Sequence, residues 1–96
     1  MEEAYRLLDD FLNFLTVEKG LSRNTIEAYS RDIIKYLSFL DDEGISPLNA
    51  ASSHIVSFLS KLKENNISVR SYTRNLVSVR MFYRFLLKNS KIAILP

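Results

Sequence analysis

The sequence predicts an all-α protein of four helices, and three observations carry that expectation. Gly and Pro number only two each in 96 residues, so little in the chain interrupts a helix. Apolar residues recur at helical spacing in separate segments, whereas short alternating runs of the strand type are few. Residues suited to helix ends stand between those segments, with Ser22, Ser52 and Ser68 as caps and Gly20, Gly44, Asn65 and Asn66 as stops.

The first predicted helix covers roughly residues 2–18. Tyr5, Leu8, Phe11, Leu12 and Leu15 form its apolar stripe, and Gly20 follows its end. The second runs from about Arg23 to Asp42 behind a Ser22 cap. Leu21 and Ile26 have the spacing of a hydrophobic staple across that cap. Ile26, Tyr29, Ile33, Leu37 and Leu40 form its buried face, and Asn24, Ala28, Arg31 and Lys35 lie opposite. Asp41, Asp42 and Glu43 load its C-terminal end with charge that the helix dipole disfavours, so they are expected in solvent. A connector follows over residues 45–51, where Pro47 forces Ser46 into an extended or turn conformation and Leu48 dips toward the core. The third helix is expected over residues 53–65 with Ser52 as cap and Ile55, Phe58, Leu59 and Leu62 inward.

The fourth helix starts at a Ser68 cap, with Ile67 and Tyr72 repeating the staple spacing. Residues 68–91 contain six Lys or Arg, no Asp or Glu, and no Gly or Pro. Wound at about 100° per residue, they separate into two faces. Tyr72, Leu76, Val79, Tyr83 and Leu86 make one stripe, and Arg70, Arg74, Val77, Met81, Arg84 and Lys88 make the other. A merely solvated face usually mixes both signs, because i, i+4 pairs of opposite charge help a helix form. This one does not, and a polyanion is the sharper reading of it.

Composition narrows the function classes. Apolar residues are 47% of the chain, enough for the core of one domain, and no apolar run approaches the ~20 residues of a membrane span. The N-terminus is acidic, unlike a signal or transit peptide, and Cys is absent, which fits a reducing cytoplasm. The net charge of +2 is unevenly placed: residues 1–67 hold 7 basic and 11 acidic side chains, and residues 68–96 hold 6 basic and none acidic. No metal, cofactor or small-molecule ligand is expected. His54 is the single histidine and is expected at the surface, and Gly20 and Gly44 are too isolated for a phosphate loop. Tyr29, Tyr36, Tyr72 and Tyr83 fall on apolar stripes and are expected in the core with wet hydroxyls rather than as nucleophiles.

What remains is a pair of helices with capped N-termini and basic outer faces. Helix N-termini present free N–H groups and a positive dipole end that suit phosphate. Ser22, Arg23, Asn24 and Thr25 on one helix, with Ser68, Arg70 and Ser71 on the other, offer the groups that duplex-DNA contacts use. A helical protein–protein module whose basic face meets an acidic partner is the alternative.

Residues 20–40, GLSRNTIEAYSRDIIKYLSFL, resemble the second helix of the N-terminal, core-binding domain of tyrosine recombinases of the Xer and phage-integrase type. Residues 68–87, SVRSYTRNLVSVRMFYRFLL, resemble the fourth helix of that domain, and the leading helix also fits. The resemblance implies a four-helix, SAM-like orthogonal bundle over residues 1–90, with residues 91–96 starting a linker to an absent catalytic domain. It implies a non-catalytic, sequence-specific module that forms half of a clamp on double-stranded DNA. Other recombinase subunits would be partners through the full-length protein, with no membrane and no small-molecule ligand. Carried over, the DNA contacts are Arg23, Asn24, Thr25, Ala28, Arg31 and Lys35, then Arg70, Ser71 and Arg74, flanked by the caps Ser22 and Ser68. The family's catalytic Arg–Lys–His–Arg set and Tyr nucleophile belong to a second domain, and no Tyr here matches the nucleophile motif. Asp32 and Arg80 match positions expected to be structural, pairing with each other beside the basic face. The apolar end of the chain favours an excised domain over a free-standing relative.

Overall fold

Helix boundaries follow the local signals closely. The computed structural model describes residues 2–96, which form α1 (Glu2–Val17), α2 (Arg23–Asp42), a 3-10 turn at Pro47–Asn49, α3 (Ser52–Glu64) and α4 (Val69–Lys88). No strand occurs among the described residues. Every helix is followed by a left-handed residue: Gly20 (φ 61°), Gly44 (φ 70°), Asn66 (φ 56°) and Ser90 (φ 58°). After each of the last three, the next backbone N–H turns back to a carbonyl of the final helical turn, as Ile45 does to Leu40 (2.9 Å) and Lys91 to Leu86 (2.8 Å). These are Schellman endings, which satisfy carbonyls that the helix leaves unpaired.

Three starts are capped by a Ser side chain. Ser22 Oγ accepts from Thr25 N–H (3.3 Å), Ser68 Oγ from Ser71 N–H (3.1 Å), and Ser46 Oγ from Leu48 N–H (3.2 Å). The third helix differs from expectation, because Ala51 occupies the N-cap and Ser52 is already helical. Alanine has no acceptor to offer. His54 compensates from the first turn by accepting the Ala51 N–H at Nδ1 (2.8 Å), so it is a half-buried capping residue and not simply a surface one.

The helices pack around one core, in which α2 against α4 is the largest contact and α1 lies chiefly on α2. Phe11, Leu15, Ile33, Leu37, Phe58, Leu62, Val79, Tyr83 and Leu86 are buried, as their stripes predict. Leu76 is only half-buried, while Asn75, Ser78 and Phe82 are fully enclosed. The buried face of α4 is therefore turned by about 70° from the stripe expected by helical winding. Its neighbours cause this: Phe11 of α1 stacks edge-on against Phe82 (5.5 Å), and Asp32 of α2 meets the Ser78 hydroxyl (2.9 Å). Leu76 instead lines a shallow groove between α3 and α4, alongside Ile55, Leu59 and Leu95.

Tyr36 and Tyr83 are fully buried, contrary to the expectation of wet hydroxyls. The Tyr83 hydroxyl donates to the Pro47 carbonyl (2.9 Å), so its single proton is committed there. Tyr36 must then be the donor in the 2.6 Å Tyr36–Tyr83 contact. This relay fastens the connector to α2 and α4. Burial pushes the Tyr36 hydroxyl up to about 12 and pushes Tyr83 up as well, with the neighbouring Tyr36 adding to the rise at Tyr83.

Candidate nucleic-acid interface

The relative placement of α2 and α4 decides what their outer faces present. Asp32 of α2 meets Arg74 and Ser78 of α4, and one turn further along α2 Tyr36 meets Tyr83, which lies five residues beyond Ser78 on α4. The pairings advance along both helices in the same sense, so the capped N-termini point toward the same end. At about 1.5 Å per residue, the Ser22 cap stands roughly 15 Å and the Ser68 cap roughly 9 Å along their axes from the Asp32–Arg74 junction.

Around those N-termini, Ser22, Arg23, Asn24, Ser68 and Arg70 are exposed, and Thr25 and Ser71 are half-buried. The Ser22 hydroxyl also lies 2.9 Å from the Thr25 hydroxyl. Arg23 Nε donates to Glu27 Oε1 (3.3 Å), an exposed i, i+4 pair that water screens strongly. Farther along α2, Ala28 is half-buried, and Arg31 and Lys35 are exposed. Arg31, Lys35 and Arg70 make no ion pair among the described residues.

Arg74 is not one of a row of free cations. Its Nε donates to Asp32 Oδ2 (2.8 Å) and its Nη2 to Asp32 Oδ1 (2.8 Å), a bidentate pair across the α2–α4 contact. The carboxylate side chain is 0% exposed and the arginine side chain 35% exposed. The hydrogen bond to Asp32 raises the Arg74 guanidinium above its ordinary range. The Ser78 hydroxyl lies 2.9 Å from both Asp32 Oδ2 and the Arg74 carbonyl, and donates its one proton to either. The expected Asp32–Arg80 pair does not form; Arg80 is exposed and makes no ion pair among the described residues. The physical reason is the 70° turn of α4, which carries Arg74 to the edge of the α2 contact and Arg80 away from it.

Sequence reasoning missed Asn75 and Ser78. Asn75 Nδ2 donates to the Ser71 carbonyl (2.8 Å), while its buried Oδ1 has no partner among the described residues. The usable signal was spacing: Asn75, Ser78, Phe82 and Phe85 share a face once the polar pair is allowed inside.

The family model described as phage integrase, N-terminal SAM-like domain matches residues 8–90. The chain belongs to this family. The SAM-like domain here is similar to the tyrosine recombinase XerD of Listeria monocytogenes, 39% identical over 89 residues that make up 91% of this chain and 30% of that protein. It is 39% identical over 87 residues to the XerD of Chlorobaculum tepidum, covering 90% of this chain and 29% of that protein. The XerD of Staphylococcus epidermidis is 36% identical over 88 residues, 91% of this chain and 30% of that protein. The chain thus spans about a third of the length of these curated relatives. No solved structure matches it significantly. Among the described residues, no helix of the SAM-like domain is long and apolar enough to cross a membrane.

Proposed function

We propose that this SAM-like domain is a non-catalytic, sequence-specific duplex-DNA-binding module of a site-specific tyrosine recombinase, forming half of a clamp on DNA. The observation that carries the proposal is the shared orientation of α2 and α4, with Ser-capped N-termini at one end and the cations Arg31, Lys35 and Arg70, without ion pairs among the described residues, exposed beside them. A helix N-terminus suits phosphate, and a helix of this width fits the major groove. Ser22, Arg23, Asn24, Thr25, Ala28, Arg31 and Lys35 of α2, with Ser68, Arg70, Ser71 and Arg74 of α4, form the proposed contact face. The similarity to proteins named tyrosine recombinase supports a role in recombination. Residues 1–90 make up the module and residues 91–96 begin the connection to a catalytic domain. The chain by itself neither cuts DNA nor links to it covalently. Other recombinase subunits are met through the full-length protein, in the cytoplasm.

Titration with duplex DNA at several salt concentrations tests the reading. Log affinity should fall with log salt at a slope of roughly −0.9 per neutralised phosphate, or about −3 to −5 for three to five phosphates. Arg70→Ala and Lys35→Ala should each make the slope shallower by about one without lowering the melting temperature. Unchanged affinity in the Arg70→Ala, Lys35→Ala double variant would transfer the reading to a helical protein–protein module with a basic face.

A further inference from the structure

We propose that Asp32 is a positioning residue for DNA recognition, one that holds Arg74 as a preset fork for a guanine edge. The inference rests on the DNA-binding reading above and deepens it. A carboxylate beside a DNA-facing surface works against affinity for a polyanion, and burying it carries a desolvation penalty that its ion pair does no more than offset. Asp32 nevertheless lies wholly enclosed at the junction of α2 and α4. Its oxygens take Nε and Nη2 of Arg74, both at 2.8 Å, and Ser78 lies 2.9 Å from Oδ2.

That pairing consumes only one edge of the guanidinium. Arginine has five N–H groups in a rigid plane. Asp32 engages the Nε edge, and the opposite edge keeps one N–H on Nη2 and both on Nη1, with no acceptor among the described residues. Two of these are parallel and match the O6 and N7 acceptors of guanine in the major groove. A free arginine loses side-chain freedom when it binds. Here folding has already removed that freedom, and the direction of the remaining donors is set by α2 as well as α4. A phosphate, which accepts from many directions, gains little from such a setting, whereas a base edge gains discrimination.

The test is selection from a pool of random-sequence duplexes by the 96-residue chain, with base preference and mean pool affinity both measured. The wild-type domain should show a guanine preference that Arg74→Lys reduces by about tenfold at one base pair. Asp32→Asn should reduce preference at that same base pair, while mean affinity for the pool holds or rises because a negative charge is gone. A residue needed only for folding would instead lower affinity for all sequences together. Circular dichroism melting identifies an unfolded variant. In that event Ser78→Ala, which leaves both charges, should weaken preference at the same position to a smaller degree. Preference unchanged in Asp32→Asn or in Ser78→Ala, a uniform loss across the pool, or a wild-type domain without base preference would each overturn the inference. A wild-type domain that fails to bind the pool at low salt would overturn the DNA-binding reading itself.

Discussion

Arg74 and Arg80 stand six residues apart on α4, and their burial gives them different tasks. Removing Arg74 strands a fully enclosed carboxylate. Arg74→Ala is therefore expected to cost about 2–3 kcal/mol, less than the ~3–5 of a fully buried pair because the arginine side chain is 35% exposed. Arg80→Ala should stay within about 0.5 kcal/mol of wild type, as exposed substitutions usually do. Urea denaturation of the two variants checks both values, and equal losses would contradict the assignment of Asp32 to Arg74. The family resemblance marks Asp32 as structural but pairs it with Arg80, whereas its partner in the fold is Arg74. On α4, Arg74 and Arg80 are about one and two-thirds turns apart and face directions about 120° apart, so the choice depends on how far the helix is turned about its axis.

Of α2, α3 and α4, α3 has the least conventional start. Ser52 looks like its cap in the sequence, yet the chain begins the helix one residue earlier and recruits His54 from the first turn. His54→Ala should cost about 1 kcal/mol through the lost acceptor for the Ala51 N–H, whereas Ser52→Ala should be close to neutral. Thermal melts of the two variants decide it, and a larger loss at Ser52 would restore Ser52 as the cap. The caps of α2 and α4 raise no such difficulty. Ser22 and Ser68 were legible because a capping Ser, an apolar residue before it and another five residues on make a purely local pattern.

The relay from Tyr36 through Tyr83 to the Pro47 carbonyl ties α2, α4 and the connector into one unit, so its chemistry bears on the whole molecule. Both hydroxyls are raised in the folded state, Tyr36 to about 12. In the unfolded chain they ionise near the usual value of about 10. Their contribution is thus fully present below about pH 10 and is lost as pH rises toward 12 and beyond, by up to ~1.4 kcal/mol per pH unit for each group. Melting curves between pH 9 and 11.5 should fall more steeply for the wild type than for Tyr36→Phe or Tyr83→Phe. Parallel pH profiles would contradict a buried relay. At neutral pH, Tyr83→Phe should be the costlier change, since it strands both the Pro47 carbonyl and the Tyr36 hydroxyl, at about 1–3 kcal/mol for each buried group left unpaired.

The sequence by itself determined the helices and their ends, the asymmetry of charge, and most of the core, because each depends on neighbours within a turn or two along the chain. Ser22 and Ser68 cap, Gly20 and Gly44 stop, and Phe11, Leu37 and Val79 go inside for reasons present in their own segments. The rotation of α4 has no such local cause. Leu76 and Phe82 are both apolar, and only the positions of α1 and α2 select Phe82 for full burial. The same rotation brings Asn75 and Ser78 inside and makes Arg74 the partner of Asp32. Arg74 thereby changes from one cation in a row to a guanidinium with one edge engaged and one free. That distinction rests on a contact between residues 42 apart in the chain, which only the packed bundle creates.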